Sequence, residues 1–238
     1  MELQGVALLG LQADEARLKA ISQNIANVLT PGYKAQVPIT ASFVRQLDSL
    51  GRAEPGTQTT GSSAIDFRSG NLRYTGNLNE VAVEGDAFLE LAGPGGPVYT
   101  RQGNLRVDVR GHLVGTQGLP VLDTSGEITL ANAPFSVSAL GEVSQNGRVV
   151  GTLKLVGFDH PSRLEALGNG TYAQGGAQVD DRASGARLRP GFSEASNVSS
   201  AQEMVRLSET VRHYEALHKV VQGYDESLEK AIRKLGEF

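Results

Sequence analysis

Met204, Leu207, Val211, Tyr214, His218, Val221, Asp225, Leu228, Ile232 and Leu235 fall in alternating steps of three and four, and eight of these ten positions are apolar or aromatic. That period predicts one long helix with a narrow apolar seam, of the kind that packs along a second helix rather than onto a globular core. Ser200-Ala201-Gln202-Glu203 reads as the capping box that opens it. Glu215 with Lys219, Glu226 with Lys230 and Glu229 with Arg233 line its outer face as i, i+4 pairs. The other end of the chain supplies a partner. Leu3, Val6, Ala7, Leu11, Leu18, Ile21, Ile25 and Val28 recur at helical spacing. Pro31-Gly32 then ends that helix near Val28, because proline disfavours helix in the residue before it and glycine accepts positive φ.

Between the two ends the period changes. Val81-Ala82-Val83 and Phe88-Leu89-Glu90-Leu91 flank a turn at Glu84-Gly85-Asp86, and Leu105, Val107 and Val109 alternate with charged residues. Ile128 to Leu130, Phe135 to Val137 and Leu153 to Val156 continue the pattern of short strands. Asn146-Gly147 predicts a type I′ hairpin. Of 29 glycines, 24 lie between residues 35 and 193, which marks a turn-rich middle between helical ends. Residues 35–76 are rich in Gly, Ser, Thr and Gln and read as an extended connector.

The expected fold class is therefore α+β, with a discontinuous helical coiled-coil domain from both termini and an inserted, mostly antiparallel β domain, sandwich-like or an irregular barrel. The expected boundaries are 1–34 for the N-terminal helix, 35–76 for the connector, 77–192 for the β domain and 193–238 for the C-terminal helix.

Composition narrows the chemistry. A net charge of −4 offers no field for nucleic acid or for an anionic membrane surface. No window approaches the roughly 20 apolar residues of a membrane span, and the first residues lack the basic region of a cleaved signal peptide. With no cysteine, disulfides, thiolate metal sites and cysteine nucleophiles are excluded. His213 and His218 stand five apart and point away from one another on a helix, so they do not share a metal. His218 and Asp225 read instead as polar seam positions that select alignment. Gly93-Pro94-Gly95-Gly96-Pro97 lacks the Lys-Ser/Thr and the helix of a phosphate loop and reads as a hairpin turn. Asp180-Asp181 reads as a solvated turn, and no serine sits in a nucleophile elbow. Neither catalytic residues, nor a cofactor site, nor a metal site is expected.

Ser22-Gln23-Asn24-Ile25-Ala26-Asn27-Val28-Leu29-Thr30-Pro31-Gly32-Tyr33-Lys34 resembles the N-terminal signature of bacterial flagellar rod and hook proteins. Asn79 to Leu89, Tyr99-Thr100-Arg101-Gln102-Gly103-Asn104-Leu105 and Ser196-Asn197-Val198 with Glu203-Met204-Val205 resemble further family segments in the family's order. Within that family the short connector, Gly151 to Val156 and Asp225-Glu226 look most like the proximal rod subunit, with the distal rod subunit second. The resemblance implies an axial rod subunit of the basal body in the periplasm, exported through the flagellar type III apparatus without cleavage. It implies assembly with other copies and with neighbouring rod and hook-basal-body subunits. Neither an enzyme nor a cofactor is implied.

Two rival readings stay open. One is a non-flagellar β-domain binding module with a helical oligomerisation stalk, and the other is an enzyme. On the rod reading the assembly interface comprises Leu11, Leu18, Ile21, Asn24, Ile25, Asn27, Thr30, Gly32 and Tyr33 at one end. At the other it comprises Ser196, Asn197, Met204, Leu207, Val211, Tyr214, His218, Val221, Leu228, Ile232 and Leu235. The bland alternative for Asn24, Asn27 and Thr30 is a plain helix C-cap.

Overall fold

The computed structural model describes residues 2–39, 63–180 and 185–236. Asp181, most of the expected connector and Phe238 lie outside the described residues, as does the side chain of Leu235. The chain divides into two compact units, one holding residues 1–26, 36–64 and 199–238 and the other residues 27–35 and 65–198.

The first unit is built on two helices, α1 (Glu2–Ala26) and α2 (Ser200–Gly236). They run antiparallel. Asn24 of α1 meets Glu203 of α2, Asp14 meets His213, and Gly10 receives the Leu217 side chain. Each step along one helix is matched by an equal step back along the other.

The face that α2 turns to α1 is offset from the apolar seam read in the sequence. Glu203 and Thr210 are buried and Leu207, Leu217, Val221 and Tyr224 half-buried, whereas Met204, Val211, Tyr214 and His218 are exposed. The inward face keeps a seven-residue repeat of its own, Glu203, Thr210, Leu217 and Tyr224, one position before Met204, Val211, His218 and Asp225, and it shares Leu207 and Val221 with the seam. The cause is chemical: Glu203 and Thr210 are polar, and Glu203 is held by Asn24 across the pair, so apolarity alone does not mark this face. On α1 the buried positions are Ala7, Asp14, Ala20, Ile21 and Asn24, and Gly10 and Arg17 lie half-buried on the same face. Leu11, Leu18 and Ile25 lie beside that face and are half-buried, and Leu8 is exposed.

The second unit is antiparallel β throughout its described pairings. A six-stranded sheet runs in the order Glu165–Gly168, Thr171–Ala173, Gly96–Thr100, Ala87–Gly93, Leu155–Phe158, Val179–Asp180. A three-stranded sheet follows the order Phe135–Val137, Glu142–Gln145, Arg148–Thr152, and shorter pairs fill the remainder. The Asn146-Gly147 turn joins two of its strands with both residues at positive φ, as a type I′ hairpin requires. Gly93 and Gly96 pair across the other predicted turn.

Alternation along Ala87–Gly93 sends Ala87, Leu89 and Leu91 into an aliphatic core with Val81, Leu113, Val121 and Val143. Phe88 points the other way, into an aromatic core with Tyr99, Phe158 and Tyr172, whose rings meet edge to face. The strand is thus buried on both faces, which is why it reads as a nearly continuous apolar run.

Two glycines are dictated by close approach. A Cβ on Gly103 would lie 1.7 Å from the Val81 carbonyl oxygen, and one on Gly70 would lie 1.9 Å from that of Ala195. Gly95, by contrast, faces open space. Gly103→Ala is therefore expected to destabilise the protein by about 3 kcal/mol or more, with Gly95→Ala within about 0.5 kcal/mol of the natural chain, as measured by chemical denaturation.

Candidate functional site

Two groups of residues carry the signature segments, one in each unit. In the β-bearing unit, Gly32 takes φ +65 and places its Cα against the Arg101 and Gln102 backbone, where a Cβ would approach within 2.8 Å. Glycine is required here twice over, by conformation and by space. This turn delivers Tyr33 into a small apolar cluster with Ala35 and Val198, and Lys34 into a fully buried position.

Lys34 Nζ donates to Glu194 Oε1 at 2.6 Å and to the Arg68 carbonyl at 2.9 Å. Arg101 Nε donates to Glu194 Oε2 at 2.8 Å, and its two terminal nitrogens donate to the carbonyls of Val83, Gly85 and Ala87. The Gly70 amide donates to Glu194 Oε1, and the Gly32 amide to the Glu194 carbonyl. Lys34, Arg101 and Glu194 have side chains 0, 2 and 1% exposed, so the three form a dry, hydrogen-bonded ion cluster.

Electrostatics follow from that burial. Burial pushes the Glu194 carboxyl up, but the Arg101 and Lys34 cations outweigh it and hold the group below the usual carboxylate range. Burial pushes the Lys34 ammonium down, and Glu194 offsets this only in part. The phenol of Tyr172 is likewise pushed up by its burial.

Asn197 completes the junction. Its side chain accepts from the Ala35 amide at 2.8 Å and donates to the Asp66 and Arg68 carbonyls. Ser196 Oγ accepts from the Val198 amide, and Thr30 Oγ1 donates to the Asn27 side chain. The signature polar residues of this unit are thus engaged within the chain. The chain segments 27–35 and 194–198 lie side by side through them.

In the helical unit, Asn24 is buried and spans the Gln36 backbone, donating to its carbonyl at 2.9 Å and accepting from its amide at 2.8 Å. That is more than a cap at the end of its own helix. Asn24 also reaches Glu203 at 3.4 Å, and Arg206 pairs with Glu203 at 2.7 Å. Asp14 is fully buried and bonds Arg17 on its own helix and His213 on α2. The histidine that bonds across the helices is therefore His213, while His218 is exposed and contacts Gln222.

A cleft of about 480 Å³ opens beside this seam, lined by Ile21, Val37, Pro38 and the paired Arg17, Glu203 and Arg206 among others. Of the residues expected at an interface, Met204, Val211, Tyr214, His218, Leu228 and Ile232 are exposed, and Leu11, Leu18, Ile25, Leu207 and Val221 are half-buried. Ile21 is buried. Sequence reasoning missed Asp14, His213, Leu217 and Glu194. A carboxylate on an otherwise apolar helix stripe was the available signal for Asp14.

The segments that build both groups are those matched by known families. Residues 6–34 match the flagella basal body rod protein family, residues 82–150 the flagellar hook protein FlgE/F/G D1 domain, and residues 189–234 the flagellar basal body rod FlgEFG protein C-terminal family. Flagellar basal-body rod protein FlgF of Mesorhizobium japonicum is 32% identical over 236 residues, covering 97% of this chain and 96% of that protein. FlgF of Rhizobium meliloti is 32% identical over 237 residues, with the same coverage. FlgG of Borreliella burgdorferi is 30% identical over 253 residues, covering 93% of this chain and 94% of that protein.

The chain belongs to the flagellar basal-body rod protein family. In this rod protein, Lys34 and Arg101 of two separate signature segments converge on Glu194 at the edge of the third. The family's N-terminal, central and C-terminal matches are therefore joined by one buried carboxylate.

Replacing Glu194 by Gln leaves two buried cations without their anion and is expected to cost about 3–5 kcal/mol. The natural protein is expected to keep the Glu194 contribution above the ordinary carboxylate value of 4.5 and to lose it as pH falls through the lowered native value. Glu194→Gln removes that part of the acid slope. Denaturant midpoints of both proteins across acid pH measure it. For the helical seam, a double-mutant cycle of Asp14→Ala and His213→Ala is expected to give a coupling of about 1–3 kcal/mol, read from helix melting.

Proposed function

We propose that the protein is a structural subunit of the flagellar basal-body rod, of the proximal type, assembling through its terminal helices into the axial tube that transmits torque and encloses the export path. The single observation that carries this reading is the match to FlgF and FlgG rod proteins across nearly the whole chain. Two FlgF proteins at 32% identity favour the proximal subunit over the distal one.

The geometry supports the same role. The ion cluster and the Asn197 bonds fasten the chain where it enters and leaves the β-bearing unit, while α2 keeps Met204, Val211, Tyr214, Leu228 and Ile232 between 39 and 68% exposed. Scattered exposed apolar residues are ordinary, but a run repeating along one helix is an interaction surface. Its partners are further copies of the chain and neighbouring rod and hook-basal-body subunits, inside the basal body. Heterologous contacts, in which one patch meets a different patch on the next copy, generate an open tube. The type III apparatus is the export route, and the protein performs no catalysis.

Deleting the gene is expected to abolish swimming and to leave basal bodies without the rod segment nearest the membrane, seen by cryo-microscopy. A missing distal segment with the proximal one intact would assign the distal subunit instead. Val211→Asp is expected to reproduce the deletion while the purified protein keeps its helix content.

A further inference from the structure

The rod reading says that terminal helices join copies, and the two-helix unit indicates which surfaces meet. On α1, Leu11, Leu18 and Ile25 recur every seven residues and are half-buried. On α2, Met204 and Val211 recur every seven and are 54 and 39% exposed. In the antiparallel register of the Asn24–Glu203 and Asp14–His213 contacts, helical geometry puts these two rows on the same side of the pair. The opposite side carries the cleft and Gln36–Pro38. The first side is thus one apolar flank composed of both helices.

The second feature is a difference in length. α2 has 37 residues and α1 has 25, so roughly three turns of α2 run past α1. Residues 225–234 of α2 are all exposed. Yet the face that packs on α1 at Leu217 and Val221 continues beyond it as Leu228 and Ile232, 41 and 68% exposed. The overhang carries on an interface whose partner helix has ended.

We propose that the α2 overhang, through Leu228 and Ile232, docks on the Leu11–Leu18–Ile25–Met204–Val211 flank of a second copy. The occupant follows from continuity. The overhang prolongs a helix-packing face, and the flank offers apolar rows of the same seven-residue period on which such a face seats. The buried acids Asp14 and Glu203 fix the rotation of α2 through His213 and Asn24, which keeps Met204 and Val211 turned outward beside Leu18 and Ile25. Because overhang and flank are different surfaces, the contact is heterologous, the class that gives an open helical array when its rotation does not close. The proposal rests on the rod reading only for the statement that copies assemble.

The chain has no cysteine, so single introduced cysteines report contacts directly. Full-length Leu18→Cys protein is mixed with full-length, mass-tagged Ile232→Cys protein under mild oxidation, with Gly95→Cys as the off-surface control. Mixed Leu18→Cys/Ile232→Cys dimers are expected to exceed like-with-like dimers and control dimers by about tenfold, the factor that some 1.4 kcal/mol of preference provides. Equal yields, dominant symmetric dimers or no mixed dimer overturn the proposal. Swimming of an Ile232→Glu strain separates the two ideas. Lost swimming without the mixed dimer refutes this docking and leaves the rod reading standing. A mixed dimer in a protein whose gene deletion leaves basal bodies intact refutes the rod reading and leaves the docking standing.

Discussion

A buried carboxylate holds this fold together. Glu194 is reached by Lys34 and Arg101, three side chains drawn from segments about 160 and 93 residues apart along the chain. Two cations and one anion removed from water form a costly arrangement unless every donor is met. Here Arg101 spends its remaining donors on three backbone carbonyls and Lys34 spends one on Arg68. The cluster is consequently intolerant of partial assembly. It closes only when the chain leaving α1, the central strands and the chain entering α2 are all in place. Gly32 and Gly103 serve the same junction, since neither close approach admits a side chain.

The helical unit follows a different logic. Its seam combines small or polar side chains: Gly10 with Leu217, Asp14 with His213, Asn24 with Glu203. Such pairs give less free energy than an apolar seam of equal length, but each has one geometric solution, so register and rotation are well defined. The apolar residues that would have given a stickier intramolecular pair are left to the side. On the docking proposed above, stability within the chain and affinity between chains fall on different faces of the same helices.

The parts legible in the sequence are those written in local periods. Helices at both ends, antiparallel strands between them, the Asn146-Gly147 turn and the glycine hairpin at residues 93–96 each rest on neighbouring residues. The inward face of α2 lies one position from the apolar seam because two of its positions, Glu203 and Thr210, are polar, and a polar residue buried by a partner on another helix carries no local apolar signal. Glu194 escaped notice for a related reason. It is one acid at the end of a three-residue strand, Phe192–Glu194, and its meaning lies in a lysine far away in the chain. A readable hint existed in Arg101, a cation directly after the apolar Val98-Tyr99 strand, since a charge placed among core residues calls for an anion. Asn24 and Asn197, read from the sequence as residues of an interface between copies, also satisfy backbone groups within their own chain.

This internal use bears on how a rod subunit remains specific. Without these side chains the amide of buried Ala35 and the half-buried backbone groups of Gln36 and Asp66 would lose their partners in a lone chain, at up to about 1–3 kcal/mol for a fully buried group. Because they are met internally, these asparagines shape the subunit itself. On the docking proposed above, recognition between copies depends on the spacing and rotation of the apolar rows. Both are inherited from the Asp14 and Glu203 contacts that the subunit has already made within itself.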